Sequence, residues 1–279
     1  MPLAAFKPLL QLRLVHRIAC LRFGKFLPLW VGAALIYALR PPHSLFGLTL
    51  FVGVIGSALL FVALAAWEQS LRRQFIREAA LPRFLGAKLR EAYPHLTARD
   101  TELVLHGLRQ FFMAHLRSKR QFVAMPSKVV DAAWHEFILH TRGYAQWCDA
   151  AFGRLLHHSP AEVLGRDPKR NTGLRRAWHW ACKEESIDPR APTRLPLLFA
   201  LDKKFAIAGG FTYVPDCREI DRQSGSDAYC GTSFGGGGGC GGGSDGSPGG
   251  DFSFSPDAGV SDGGGDSGCG GGSSCGGGD

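Results

Sequence analysis

Uncharged apolar residues form two runs near the start of the chain. The longer run, residues 44–67, contains 24 residues without one charge. A helix rises about 1.5 Å per residue, so this run can cross a hydrocarbon core of about 30 Å. The shorter run, residues 26–39, ends at the sequence RPPH, a turn that no helix continues through. The pattern predicts a two-helix transmembrane hairpin within residues 23–67.

Basic residues flank the two runs unevenly. In residues 1–22 they alternate with leucines and a valine, which predicts a basic amphipathic helix at the lipid surface. More basic residues follow the second run, whereas the connecting turn has Arg40 alone. Because basic flanks stay on the cytoplasmic side, we expect a multi-pass protein of the inner cell membrane with both termini in the cytoplasm. The lipid bilayer is then an expected partner.

From residue 68 the pattern changes to helical periodicity. Residues 68–222 repeat apolar positions three and four apart in several segments, bounded by capping or helix-breaking residues. In one segment a capping-box-like start at Thr97 precedes Val104, Leu108 and Phe111 at helical spacing. Period-2 alternation is nearly absent. The sequence therefore predicts a mainly α fold, with a cytoplasmic helical-bundle domain over these residues.

Charge and composition set the C-terminal segment apart. Residues 1–67 have a net charge of +6, residues 68–222 of +9 and residues 223–279 of −7, which together give the +8 of the chain. About half of the residues from 231 onward are glycine. Such a segment cannot bury enough apolar surface to offset its ordering entropy. We expect a disordered tail rich in Gly, Ser, Asp and Cys over residues 223–279.

Eight cysteines are present, and no Cys-x-x-Cys spacing occurs among them. Four lie in or beside the glycine-rich sequence, at positions Cys230, Cys240, Cys269 and Cys275. That sequence offers no core for a disulfide to cross-link. Free thiols in a reducing compartment are the simpler interpretation.

Four of the ten histidines lie in the segment AAWHEFILHTRGYAQWCDAAFGRLLHH, residues 132–158. His135 and His140 are five residues apart, whereas zinc proteases place two histidines four apart on one helix face. At about 100° per residue the two side chains diverge by roughly 140°, which excludes that arrangement. Imidazole and thiolate suit zinc or another transition metal. The alternative metal-ligand set is His135, Cys148, His157 and His158. Structural histidines and catalysis without a metal remain open for the same segment.

The same segment, extended to MPSKVVDAAWHEFILHTRGYAQWCDAAFGRLLHHSP, resembles the glycine-rich domain-containing protein family, formerly a domain of unknown function. The residues that carry the resemblance are Val130, Asp131, Trp134, His135, Tyr144, Cys148, Gly153, His157, His158 and Pro160. It covers about residues 95–217 and the character of the tail. The membrane hairpin predicted above is not expected from the plant relatives of this family, so the chain would be a bacterial membrane-anchored form of it. The resemblance also implies that the four candidate ligands belong to one recurring unit. It implies no reaction.

Three hypotheses follow for function. The leading one is a membrane-anchored helical interaction module, not an enzyme, whose basic body faces an anionic lipid surface and whose body or tail binds a protein. The second is a metal-dependent enzyme or sensor, with zinc as the candidate cofactor. The third is a nucleic-acid-binding domain at the membrane, which the scattered basic residues argue against. No catalytic or organic-cofactor-binding residue is predicted.

Overall fold

The computed structural model describes residues 3–39, 43–158, 168–216 and 229–234. Within them the chain is mostly helical, which confirms the predicted fold class. The helices are α1 (Leu3–Gly24), α2 (Leu27–Leu39), α3 (His43–Glu78), α4 (Phe84–Ala92), α5 (Ala98–Arg117), α6 (Lys128–Leu139), α7 (Thr141–Phe152), α8 (Pro168–Glu184), α9 (Leu197–Lys204) and α10 (Gly231–Phe234). Two short strands, β1 (Tyr213–Val214) and β2 (Tyr229–Cys230), pair in parallel.

Helix α3 joins two environments. Its first part is the long uncharged run, whose large apolar side chains, such as Phe51 and Leu59, are exposed. Its last turns enter the core, where Phe75 and Ile76 are buried. Among the described residues, the stretch Leu50–Glu78 is the one helix long and apolar enough to cross a membrane. One continuous helix thus carries an exposed apolar surface directly into the domain.

Helix α2 packs along α3. The Phe26 and Phe61 rings are 5.6 Å apart, and a Cβ built on Gly32 would lie 2.7 Å from Ser57 Oγ. With 13 residues, α2 is about 20 Å long, which is shorter than a hydrocarbon core of about 30 Å. The structure therefore supports one candidate span, and the first of the two predicted passes is not supported by its length.

Helix α1 forms where the sequence predicts a basic amphipathic helix. Its Leu14 and Ile18 are buried, and it packs against α3 and α7. Near its end, Arg22 forms an ion pair with Asp149 of α7 at 2.8 Å. Part of the apolar side of α1 is therefore covered by protein and not by lipid. Sequence patterning could not reveal this, because the covering residues lie far along the chain.

The centre of the domain is α5, which contacts α3, α4, α6, α8 and α9. Its predicted capping box is present: the Thr97 hydroxyl accepts a hydrogen bond from the Asp100 backbone, and the Thr97 backbone donates to the Asp100 carboxylate. The Thr97 hydroxyl also donates to the Asp100 carboxylate at 2.7 Å, and this bond, followed by the bond from the Thr97 backbone, lowers the pKa of Asp100. In the middle of the helix, the Phe112 ring meets the aromatic rings of Trp134, Trp147 and Phe152.

One histidine of this helix is purely structural. His115 is only 5% exposed, its ring meets Phe152 edge-on at 5.0 Å, and its Nδ1 lies 3.1 Å from the Gln121 carbonyl oxygen. Burial lowers the pKa of His115 to about 4, so the imidazole is neutral at pH 7. His115 lies outside residues 132–158, so it does not test the structural alternative left open for the histidines of that segment.

Part of the predicted tail forms secondary structure. Residues 229–234 form β2 and α10, and Phe234 packs against the Trp178 ring at 6.0 Å. Gly231 is required here, because a Cβ would lie 2.3 Å from the Trp178 ring. Residues 229–234 therefore do not fit a disordered tail, because glycine content averaged over the whole segment hides Phe234, which packs on Trp178. Residues 235–279, and residues 40–42 of the predicted turn, lie outside the described residues.

The expectation of free thiols throughout is wrong at one position. Cys20, Cys148 and Cys182 are free, but Cys230 is disulfide-bonded. Strand pairing brings Cys230 into the domain, where it is buried. Disulfides are typical of oxidising compartments. Cys230 therefore gives no support to the predicted reducing environment.

Candidate metal centre

Helix α6 supplies two of the three residues that come together. Its Val130, Ala133 and Phe137 are buried against the core, which turns the opposite face outward. Asp131 and His135 lie on that face, one helical turn apart. The His135 Nδ1 and Asp131 Oδ2 atoms are 3.7 Å apart.

The third residue, His158, comes from the segment after α7. That helix ends at Gly153, whose φ of 75° lets the chain turn back. Two residues before His158, the Leu156 carbonyl oxygen accepts a hydrogen bond from the Tyr144 hydroxyl at 2.6 Å. The same hydroxyl accepts a bond from Trp134 Nε1 at 3.0 Å. Buried bonds from two helices thus fix the segment that presents His158.

Trp134 also contacts His158 directly. The two rings meet edge-on, with centroids 4.6 Å apart. Trp134 is itself buried beside the Phe111 and Phe112 rings, so its contact restricts the orientation of the His158 imidazole. Trp134 and Tyr144 are therefore positioning residues for the site.

The three side chains form a compact group. His158 Nε2 lies 2.9 Å from Asp131 Oδ1, and the His135 and His158 ring centroids are 4.3 Å apart. One ligand atom from each residue lies within 4.8 Å of the other two. A tetrahedral ion with bonds of about 2.1 Å separates its ligands by about 3.4 Å, which small side-chain rotations can reach.

Exposure differs across the group. The His158 side chain is 12% exposed and that of Asp131 29%, whereas His135 is half-exposed. The group therefore has a fixed inner side and an open outer side. Two imidazoles and one carboxylate with open positions are a ligand set for first-row transition metals. The arrangement can hold such an ion and leave positions for water or a substrate.

The structure brings together two of the four predicted ligands. His135 and His158 are in the group; among the described residues that group does not include His157, which is exposed, or Cys148. Cys148 lies on the inner face of α7, fully buried, and burial raises the pKa of its thiol. His140, excluded by its spacing, ends α6 and packs on the Phe84 ring.

Asp131 is the ligand that the sequence analysis did not predict. A spacing signal was present, because an aspartate four residues before a histidine shares its helix face. The contact between Asp131 and His158 could not be predicted from sequence spacing, because the two residues are 27 positions apart.

Fold and site together define a mostly helical domain with an open group of two histidines and a carboxylate. The chain belongs to the UCP032817-like family, an uncharacterised family whose model matches residues 71–234. That match contains all three residues of the group. It begins after the long apolar run and ends at the last described residue before the glycine-rich tail, so it supports the domain and not the anchor or the tail. No curated protein and no solved structure matches the chain.

Proposed function

We propose that this protein is a membrane-anchored helical domain that binds a divalent transition metal through Asp131, His135 and His158. The observation that carries the metal part is the convergence of one ligand atom from each residue within 4.8 Å on an open edge of the domain. His157 and Cys148 stand outside this ligand set. An ion held there would act as a Lewis acid on a substrate. Alternatively, the domain would act as a metal sensor, which a partner protein binds differently with and without the ion.

The chemistry of the three ligands restricts which metal ions can bind. Imidazole nitrogens favour zinc, iron, nickel or cobalt, and one carboxylate is compatible with each of them. Three protein ligands leave at least one position for a fourth ligand, as in catalytic and not in structural zinc sites. Without the metal, His158 Nε2 and Asp131 Oδ1 share a hydrogen bond that a bound ion would replace, and imidazole and carboxylate bind metal only in their deprotonated forms. Metal affinity should therefore weaken as the pH falls.

The metal proposal predicts one equivalent of Co²⁺ or Zn²⁺ per chain. The tag-free full chain is purified in detergent, stripped with a chelator and titrated, with Co²⁺ absorption and Zn²⁺ calorimetry as readouts. Asp131→Asn and His158→Gln should each weaken binding about 100-fold or more, because each removes a ligand of a three-residue site. The Co²⁺ spectrum should lack a thiolate charge-transfer band, since Cys148 is not a ligand.

His157→Gln is the matched control, since it removes an exposed histidine next to His158 and should leave the affinity unchanged. Binding that survives Asp131→Asn, or a stripped chain that takes up no stoichiometric metal, would contradict the proposed site. A thiolate band that disappears in Cys148→Ala would instead restore the ligand set expected from the sequence.

The anchor part of the proposal rests on α3 and on the position of α1. Helix α3 has an exposed apolar part and a buried part in one continuous helix. Because α1 packs against α7 of the domain, the N-terminus and the domain fit the same side of a membrane. Together with the short α2, this supports a helical pair inserted from the cytoplasmic side of the inner membrane, with both termini inside.

Labelling in intact cells tests this orientation. We expect Cys20 and an introduced Glu102→Cys, both exposed, to react with a membrane-impermeant maleimide only after permeabilisation, with labelled positions identified by peptide mass mapping. Labelling of Glu102→Cys in intact cells would place the domain outside and contradict this orientation. Labelling of Cys20 alone would mean a single pass.

A further inference from the structure

Basic side chains gather at the C-terminal end of α7. Arg72 donates to the carbonyl oxygens of Asp149 and Ala150 at 3.1 and 2.8 Å, and Arg22 donates to the Gly153 carbonyl oxygen at 3.1 Å. The free carbonyl groups at the end of a helix attract cations, which explains these contacts. Both arginines also bond to a carboxylate, so their own charges are compensated.

Two further arginines lie beside them. Arg154 donates from Nη2 to the Arg120 carbonyl oxygen at 2.7 Å. Among the described residues, the Arg120 guanidinium has no hydrogen bond or ion pair with a side chain or carbonyl, although this residue is half-buried. Its pKa is lowered by burial first, then by Arg72 and Arg154. A half-buried cation beside other cations is unfavourable unless an anion compensates for it.

The backbone that presents Arg120 is also unfavourable for its sequence. Lys119 and Arg120 have φ angles of 54° and 62°, a left-handed conformation that favours glycine or asparagine. The turn is closed by a bond from the Arg120 backbone N–H to the His115 carbonyl oxygen at 3.0 Å. Two basic residues thus occupy positions where glycine would suit the fold better, which points to a role for their side chains.

The arginines lie just beyond the apolar part of α3. Glu68, which bonds to Arg72 and Lys25, follows directly on Trp67, the last residue of the uncharged run. Arg72 lies one turn beyond Glu68, about 6 Å further along the helix axis. The headgroup layer of a bilayer is about 5–7 Å thick on each side. Trp67 is exposed at this level, as aromatic residues at a membrane interface are.

We propose that Arg120 and Arg154 bind the phosphate of an anionic phospholipid headgroup. A guanidinium presents two parallel N–H donors that match two phosphate oxygens. Basic residues outnumber acidic ones around the site, which raises the local positive charge; they are Arg22, Lys25, Arg72, Arg120 and Arg154, against Glu68 and Asp149. This inference rests on the membrane-anchor part of the proposed function and is independent of the metal site.

The test compares phosphatidylglycerol with phosphatidylcholine. The full chain is purified in detergent, mixed micelles of either lipid are added, and lipid retention is counted by native mass spectrometry alongside the melting temperature. Wild-type protein should retain phosphatidylglycerol and melt at a higher temperature with it, an effect that high salt weakens. In Arg120→Asn/Arg154→Gln, the apparent dissociation constant for this lipid should rise about tenfold or more.

Arg120→Asn separates binding from folding, because asparagine tolerates the left-handed conformation and no side-chain bond is lost. Without lipid, the variant should melt at the wild-type temperature or above. Arg175→Gln, at an exposed position of α8, is the control for the loss of one surface charge and should retain wild-type lipid binding. Equal retention of both lipids by wild-type protein, or an unchanged preference in the double variant, would overturn the proposed lipid site.

A chain that stays soluble without detergent and retains neither lipid would instead contradict the membrane anchor. Glycerol phosphate alone should give no melting shift at the same concentration.

Discussion

Replacing Arg72 with alanine should lower the free energy of unfolding by about 3–5 kcal/mol, because it leaves a buried carboxylate without its main partner. The Arg72 side chain is 1% exposed, and its Nε and Nη2 atoms donate to Glu68 Oε1 at 3.0 and 2.7 Å. After the substitution, Glu68 keeps only Lys25, and two carbonyl groups of α7 lose a donor. Chemical unfolding of the full chain in detergent, followed by tryptophan fluorescence, measures the loss.

The neighbouring Arg73→Ala is the matched control. Arg73 is exposed and bonds only to a carbonyl of its own helix, so its loss should change stability by less than about 0.5 kcal/mol. Glu68→Met/Arg72→Met should recover part of the loss, since neither charge is then left unpaired. If Arg72→Ala were no worse than Arg73→Ala, the packing of α3 on α7 would not depend on this ion pair.

The Arg72 contacts also indicate how the two environments of α3 are coupled. The Glu68–Arg72 pair lies where the helix passes from its exposed apolar part into the core. It connects α3 to the turn after α1 through Lys25, and to α7 through two carbonyl groups. If a membrane fixes the orientation of the apolar part of α3, these buried and directional hydrogen bonds also fix the orientation of α7. Hydrophobic contacts alone have no fixed direction and would allow the helices to rotate about each other.

Features that depend on near neighbours were predictable from the sequence. The capping box at Thr97 is confirmed, because it needs only residues that are three apart along the chain. The buried faces of α5 and α7 follow from apolar spacing in the same way. Helix geometry likewise fixes the angle between His135 and His140, and among the described residues His140 is not part of the group that contains His135.

Features that depend on distant contacts were not predictable. Cys148 and His158 looked equivalent as ligands, but Cys148 lies on the buried side of α7 while the following segment carries His158 back to α6. The return of residues 229–234 to the domain depends on a parallel strand pair that joins two distant segments. The amino-acid composition of a segment does not show whether an individual aromatic residue in it, such as Phe234, packs against a distant core.

Asp202→Ala should destabilise the domain by about 4 kcal/mol and weaken the metal site as well. The Asp202 carboxylate is buried and bonds to the first turn of α6, accepting from the Ser127 hydroxyl and from the backbone N–H groups of Lys128 and Val129 at 2.7, 2.7 and 3.1 Å. A fourth bond comes from the Phe211 backbone at 2.9 Å. Removing the carboxylate leaves four donors unpaired, of which the Ser127 and Val129 groups are buried.

Asp202 matters for the site because it holds the helix that carries two of the ligands. A carboxylate at the start of a helix satisfies the free N–H groups and is favoured by the helix dipole. When α6 loses this anchor, its first turn frays, and Asp131 lies in that turn. We therefore expect Co²⁺ affinity to fall about tenfold in Asp202→Ala, less than the loss expected when a ligand itself is removed.

Asp202→Asn distinguishes charge from shape. The amide oxygen can still accept two of the four bonds, so we expect about half of the destabilisation, with the remainder due to the lost charge. Glu102→Gln, at an exposed position of α5, should change neither stability nor metal affinity. Unfolding midpoints and Co²⁺ titrations on the same preparations give both quantities. A large stability loss with unchanged Co²⁺ affinity would mean that the α7 segment and Trp134 alone determine the site geometry, and that the start of α6 contributes only to the core.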